Sequence, residues 1–233
     1  MEKSELRSGY TTGSCAAGAA RSSILLLQGR KSKEISIELP IGVEATLPIA
    51  WQECVKDVAL TAIQKDGGDD PDVTSGLFIL VEAKWQKRGI EILGGEGVGM
   101  VTKPGLPVPS GKPAINPVPQ SMIRKEVGEV CPPGLGVELT VSILGGEKVA
   151  QKTFNPRLGI VGGLSILGTT GLVIPRSAEG FLGTINAELS VLSHQGFREV
   201  VLTPGNYGRQ YARARGFQDE IIVSCGNFLG FAL

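Results

Sequence analysis

Apolar residues recur at two different spacings along this chain, and the change between them divides it. Near the start, Thr11-Thr12-Gly13-Ser14 leads into Cys15-Ala16-Ala17-Gly18-Ala19-Ala20, a capped helix with a small-residue face. It runs to about Gln28, where Gly29 stops it. Strict alternation follows at Ile35, Ile37 and Leu39, at Val43, Ala45 and Leu47, and around Ala59, Thr61 and Ile63, as half-buried strands require. Leu77 to Trp85 and Gly89 to Leu93, joined by the polar Gln86-Lys87-Arg88, predict a hairpin. Pro117 to Val130 sets Met122, Ile123, Val127 and Val130 at helical spacing ahead of Pro132-Pro133. Val137, Leu139, Val141 and Ile143, then Val149, predict a second hairpin. No regular strand-helix alternation appears, so residues 1–153 are expected to form an α+β domain with glycine-rich loops.

Beyond about Phe154 the two types begin to alternate. Ser177 to Gln195 reads as a helix closed by Gly196, Glu199 to Leu202 as a buried strand, Tyr207 to Arg215 as a helix and Ile221 to Ser224 as a strand. Residues 154–233 are therefore expected to form a smaller, Rossmann-like α/β domain with a parallel sheet. Both strands run into similar loops, Thr203-Pro204-Gly205-Asn206 and Ser224-Cys225-Gly226-Asn227. Ligands of open parallel sheets bind beyond the carboxyl ends of the strands, which is where these loops fall.

Between the two patterns lies Asn155 to Gly171, in which five glycines and the pair Thr169-Thr170 punctuate an apolar run. Such density suits either a loop whose hydroxyls and amides meet a polar ligand or a crossover packed tightly between two domains. Gly94-Gly95-Glu96-Gly97-Val98-Gly99 follows a strand but leads to Lys103-Pro104-Gly105 rather than into a helix, so it is not a dinucleotide fingerprint. Gly111-Lys112 precedes Pro113 and is no phosphate-binding P-loop. The proline- and glycine-rich stretch from Lys103 to Pro119 reads as an ordered loop.

Charge changes the picture mainly by exclusion. With 23 basic and 23 acidic side chains in 233 residues, no overall field draws the chain to nucleic acid or to a membrane surface. The four cysteines are scattered and His194 is the single histidine, which leaves little material for a zinc site or a Ser-His-Asp triad. Reduced thiols fit a cytoplasmic location, and no apolar run is long enough to span a bilayer. Lys3 and Arg7 ahead of an apolar stretch imitate a signal peptide, but Glu2, Glu5 and Arg21-Ser22-Ser23 break the pattern. Cys15 reads as a packed small residue, and His194 as a structural residue of a helix end. Asp66-Gly67-Gly68-Asp69-Asp70-Pro71-Asp72 packs four carboxylates into seven residues, able to chelate magnesium, take a proton, or cap a turn at Val73-Thr74. Arg7, Lys103, Lys112, Arg124, Arg157, Arg176 and Arg209 lie in or beside glycine-rich loops and could meet carboxylates.

Taken jointly, Arg7 to Ala16, Lys65 to Thr74, Gly94 to Gly105, Pro113 to Pro119 and the glycine run resemble the cobalt-precorrin-5B (C-1)-methyltransferase family of anaerobic cobalamin biosynthesis. The blocks follow that family's order from Arg7 to about Phe228. The resemblance implies a two-domain α/β protein outside the common tetrapyrrole methylase fold. It implies methyl transfer from S-adenosylmethionine to C-1 of a cobalt-bearing corrinoid, with cobalt arriving inside the substrate and no metal held by the protein. Such chemistry needs alignment and a dry pocket more than a nucleophilic side chain. On this reading Thr203, Gly205, Asn206, Ser224, Gly226 and Asn227 are candidates for the methyl donor. Arg7, Thr11, Thr12, Lys103, Asn116, Arg157, Thr169 and Thr170 are candidates for the carboxylated macrocycle, and Asp70 or Asp72 for proton transfer or orientation. The partner implied is a small-molecule corrinoid, with homo-oligomerisation left open.

Family members usually continue past Asn227-Phe228 while this sequence stops at Leu233, so either part of the second domain is missing or the protein is naturally short. A magnesium-dependent phosphotransferase built on Asp69, Asp70 and Asp72, and a non-catalytic corrinoid-binding protein, are the alternatives.

Overall fold

Alternating apolar residues put most of the long strands into one sheet, seen in a computed structural model that describes residues 6–175 and 177–233. The sequence readings at Glu2, Lys3, Glu5 and Arg176 lie outside the described residues. In chain order the elements are β1 (Gly9–Tyr10), α1 (Thr12–Leu27), β2 (Glu34–Glu38), β3 (Glu44–Pro48), β4 (Trp51–Val55), β5 (Val58–Gln64), β6 (Phe78–Gln86), β7 (Ile90–Gly94) and β8 (Met100–Val101). There follow α2 (Pro117–Val130), β9 (Gly136–Ile143), α3 (Gly146–Ala150), β10 (Ile160–Val161), β11 (Leu172–Val173), α4 (Ala178–His194), β12 (Val201–Thr203), α5 (Asn206–Ala214), β13 (Ile222–Ser224) and α6 (Leu229–Ala232).

The main sheet is mixed, with strand order β4-β5-β6-β9-β7. Its centre is β6, and beside it lies β9, whose Val137, Leu139, Val141 and Ile143 are all fully buried. This corrects the first hairpin: β6 and β7 form where expected but do not pair with each other. Instead β9 lies between them, antiparallel to β6 and parallel to β7. The connection from β6 to β7 crosses the start of β9, with Val137 N donating to Gly89 O at 2.8 Å. A Cβ on Gly136 would overlap the Arg88 backbone, so glycine is what lets the crossing close. The second expected hairpin is also corrected, because Val149 lies in α3 and not in a returning strand.

Helix α1 covers one face of this sheet. Thr11 caps it, its Oγ1 accepting from Ser14 N at 3.1 Å. The small-residue face expected from the sequence is fully buried at Ala16, Ala17, Ala19 and Ala20. At Gly18 an added Cβ would stand 2.8 Å from Leu47 and 3.1 Å from Ile63, a close approach of helix to strands that a larger residue would prevent. Helix α2 packs beside α1 and opens on proline, as expected. Its Glu126 is buried and joins three elements, accepting from Arg21 Nη1 at 2.8 Å and from Glu38 N at 3.0 Å.

In the second part of the chain β12 and β13 pair in parallel, as the alternation predicts, in the register Val201↔Ile222, Leu202↔Val223, Thr203↔Ser224. The first strand begins at Val201 rather than Glu199, which is exposed with Val200. Both strands pack on α5, and β13 also on α4. Ile185, Leu192, Val223 and Cys225 form a hydrophobic cluster of their own, apart from the large one between α1, α2 and the sheet. No described helix is long and apolar enough to cross a membrane.

Candidate functional site

Three patches collect the residues singled out above. The first surrounds the start of α1. Its free amides and Thr12 are met by the glycine run: Gly13 N donates to Leu167 O at 3.0 Å, and Thr12 Oγ1 accepts from Leu167 N at 2.9 Å. Thr11 N and Ser14 Oγ both donate to Gly171 O, at 3.1 and 2.6 Å. The run is thus laid tightly on the helix, and a Cβ at Gly168 would run into Thr11. Thr11 and Thr12 are buried, while Thr169 is exposed and Thr170 Oγ1 is shared with the backbone of Leu172. Asn116, at the start of α2, belongs to the same patch, because a Cβ on Gly13 would sit 2.7 Å from Pro119.

The acidic segment closes this patch from below. Tyr10 N donates to Asp66 O at 2.7 Å and Asp69 N to Arg7 O at 2.9 Å, so residues 66–69 clamp residues 7–10. The Arg7 guanidinium donates to both oxygens of Asp66; with the Gly68 amide it holds that carboxyl down at about 2. Lys65, which opens the Lys65 to Thr74 block without being one of the candidate site residues, is 2% exposed with its ammonium 2.6 Å from Asp72. Burial pushes the Asp72 carboxyl up, but Lys65 and the Thr74 hydroxyl and amide pull it further down, so the net shift is downward. Asp72 Oδ1 also accepts from Thr74 N at 2.8 Å, the turn cap expected of it. Asp70, half-buried, lies between these two anchored carboxylates in the sequence. Among the described residues no three His, Cys, Asp or Glu side chains gather to hold a metal ion. Burial pushes the Cys15 thiol up to about 12, consistent with a packed residue rather than a thiolate.

The second patch is at the carboxyl ends of β12 and β13. Their register sets Thr203 beside Ser224, hydroxyl oxygens 3.4 Å apart; Thr203 is buried and its hydroxyl also faces Val223 O at 3.4 Å, so Ser224 is the one nearer solvent. Gly205 begins α5 with open space where a Cβ would be, and no side chain caps the first turn. Asn206 and Asn227 are exposed at the mouth. Phe181 of α4 closes the far side, 3.2 Å from a Cβ on Gly226, its ring centre 5.8 Å from that of Phe228 at a tilt of 44°. The space above Gly205, the Ser224 hydroxyl and the uncapped amides of α5 form a set suited to a small ligand that carries hydroxyls and a carboxylate.

Lys103 and Arg157 fall elsewhere, on a cleft of about 500 Å³ between the end of α4 and the turn before β13. This is the amino edge of the strand pair, away from Thr203 and Ser224. Arg157 pairs with the buried Glu188 and donates to Ile222 O at 2.7 Å. Asp219 gathers Arg209 and Arg213 as well, with N–O distances of 2.8 and 2.6 Å. Glu188 and Asp219 were missed from sequence. Glu188 left a signal, a carboxylate three residues from Ile185 and from Val191 on the apolar face of α4. Arg124 donates to Ile90 O at 2.5 Å, and His194 Nδ1 lies 2.9 Å from Ser190 O in the last turn of α4. The first two patches are joined by the chain between Gly171 and Ser177, whose six steps reach roughly 20 Å at most.

A family model described as CbiD matches residues 1–175. Proteins named cobalt-precorrin-5B C(1)-methyltransferase are similar along this chain. That of Thermoanaerobacter sp. strain X514 is 52% identical, covering 100% of this chain and 64% of the relative. Those of Moorella thermoacetica and Geobacillus kaustophilus are 49% and 47% identical over 98% and 99% of this chain, and 63% and 64% of theirs. The chain thus spans a little under two thirds of the length of these relatives. The crystal structure of a cobalamin biosynthesis protein, CbiD, from Archaeoglobus fulgidus superposes with a TM-score of 0.56 at 30% identity, over 97% of this chain and 73% of that one.

Proposed function

Since this chain belongs to the CbiD family, we propose that it takes part in S-adenosylmethionine-dependent methylation of C-1 of cobalt-precorrin-5B. The observation that carries the reading is the parallel β12–β13 pair, which sets Thr203 and Ser224 side by side under two glycine-bearing loops. When bound, S-adenosylmethionine supplies an electrophilic methyl group on a sulfonium. Ser224, steadied by the buried Thr203, would bind its hydroxyls, Gly205 would admit it close to the backbone, Gly226 leaves room for Phe181, and Asn206 and Asn227 would orient it from the rim. Phe181 and Phe228 keep water from that side.

The macrocycle would lie against the start of α1. Exposed Arg7 and Thr169 meet its edge there, while Thr11, Thr12, Asn116 and Thr170 fix the shape of the loops. Lys103 and Arg157 line the cleft at the opposite edge of the strand pair, and Arg157 serves the site only through its hold on β13. Asp70 is the proposed proton acceptor. Asp72, kept ionised by Lys65, positions the segment that carries it. This division of labour corresponds to two domains, expected from the sequence at 1–153 and a smaller Rossmann-like 154–233; Leu164 and Ile166 pack in the larger hydrophobic cluster, so the separate cluster favours a smaller unit that starts nearer α4. The substrate implied is a small corrinoid, and a cytoplasmic location suits it.

Calorimetric titration of the chain with S-adenosylmethionine and S-adenosylhomocysteine tests the reading, with ATP and magnesium as control. Saturable, magnesium-independent binding of both sulfur compounds is expected, and no heat from either would sink it. Asp70→Ala should lower turnover far more than stability; equal loss of both would remove Asp70 from the chemistry.

A further inference from the structure

Helix α5 carries an exposed stripe that neither the donor nor the loop residues explain. Its inner side is fixed by Ala212, which is buried, and by Gly208, where a Cβ would sit 3.0 Å from Thr203 and Pro204. The opposite side shows Tyr207, 91% exposed, and Tyr211, 61% exposed, one turn apart. Tyr207 directly follows Asn206 at the strand ends. Arg215, one turn further on, donates to Tyr211 Oη at 2.6 Å with its guanidinium 5.0 Å from the ring centre. Arg209 and Arg213 are both held by Asp219, and α5 contains no acidic residue. From Tyr207 to Arg215 the stripe extends about 12 Å along the helix. Large aromatic rings turned to water beside a guanidinium are costly to leave uncovered and suit a flat apolar ligand edged with carboxylates.

We infer that Tyr207, Tyr211 and Arg215 form a platform for the carboxylated macrocycle, with the rings under its plane and Arg215 on a peripheral carboxylate. This rests on the methyltransferase reading and deepens it, because it places the macrocycle's outer part beside the donor loops. Arg215 lying over Tyr211 is already oriented, so little freedom is lost when a carboxylate arrives.

The test uses the full chain and two probes followed by visible absorbance: cobyrinic acid, a corrinoid with free carboxylates, and cobinamide, in which they are amidated. Arg215→Gln should weaken cobyrinic acid about tenfold and leave cobinamide almost unchanged. Tyr207→Ser with Tyr211→Ser should weaken both probes about tenfold, while Tyr207→Phe retains them. Melting curves of the variants should match wild type, since these side chains face water. Unchanged cobyrinic acid affinity in both variants overturns the platform, as does failure of wild type to bind cobyrinic acid. Parallel titration with S-adenosylmethionine separates the two ideas. Donor binding without a variant effect on cobyrinic acid removes the platform alone, whereas loss of donor binding removes the methyltransferase reading.

Discussion

Glu188 is 5% exposed and receives the Arg157 guanidinium, so Arg157→Met strands a carboxylate in an apolar setting. We expect that variant to lose about 3 kcal/mol, seen as a lower urea midpoint, with Arg157→Met plus Glu188→Gln recovering much of it. An unchanged midpoint would return Arg157 to the pool of cations available for ligand. Asp66 gives a pH-dependent case. Its carboxyl is held at about 2 against an ordinary 3.8, first by the Arg7 hydrogen bond and then by the Gly68 amide. Because the folded value is the lower one, the stabilisation is complete above 3.8 and is lost as pH falls towards about 2. Half-exposure of both partners keeps it small. The gap between the unfolding midpoints of wild type and Asp66→Asn should therefore close over that interval, and a gap independent of pH would contradict it.

At the scale of elements, local pattern and final structure agree wherever a segment satisfies its own hydrogen bonds. Helices α1, α2, α4 and α5 begin and end within two residues of their expected limits, because caps, prolines and glycines act on the chain nearby. Strands β6, β7 and β9 were legible as strands, but their partners were not, since alternation says which face is buried and nothing about which edge is bonded. Strand β4 was missed; Trp51, Glu53, Cys54 and Val55 are all exposed, which blurs the two-residue period. Two glycine substitutions of opposite sign follow. Gly136→Ala pushes a Cβ into the Arg88 backbone and should cost about 1–3 kcal/mol. Gly128→Ala, in the exposed interior of α2 with nothing nearby, should stabilise by about 0.5–1 kcal/mol. Denaturant midpoints decide both, and a stabilising Gly136→Ala would mean that the crossing is not as described.

For the whole molecule, the separate hydrophobic clusters of α1 with the main sheet and of α4 with β13 predict separable stability. Ile185→Ala, in the smaller one, should cost about 2–5 kcal/mol there. Hydrogen exchange should then speed up across residues 178–228 while β6 and β9 keep their protection; uniform acceleration would argue for one cooperative unit. Of the candidate site, the strand-end loops were legible because parallel strands present their carboxyl ends to ligands. The convergence of the glycine run, the acidic segment and the start of α1 was not, since it depends on contacts more than 50 residues apart such as Arg7 to Asp66 and Thr12 to Ser165. The intrusion of β9 between β6 and β7 also bears on how the chain is made. During synthesis β6 and β7 emerge some 40 residues before β9, joined by a turn short enough to close a hairpin, and such hairpins form in microseconds. Were β6 and β7 to pair at that stage, the pairing would have to open before β9 could enter. The adjacency that reads as a simple hairpin in the sequence would thus leave a competing pairing open to the nascent chain until Ile143 has left the ribosome.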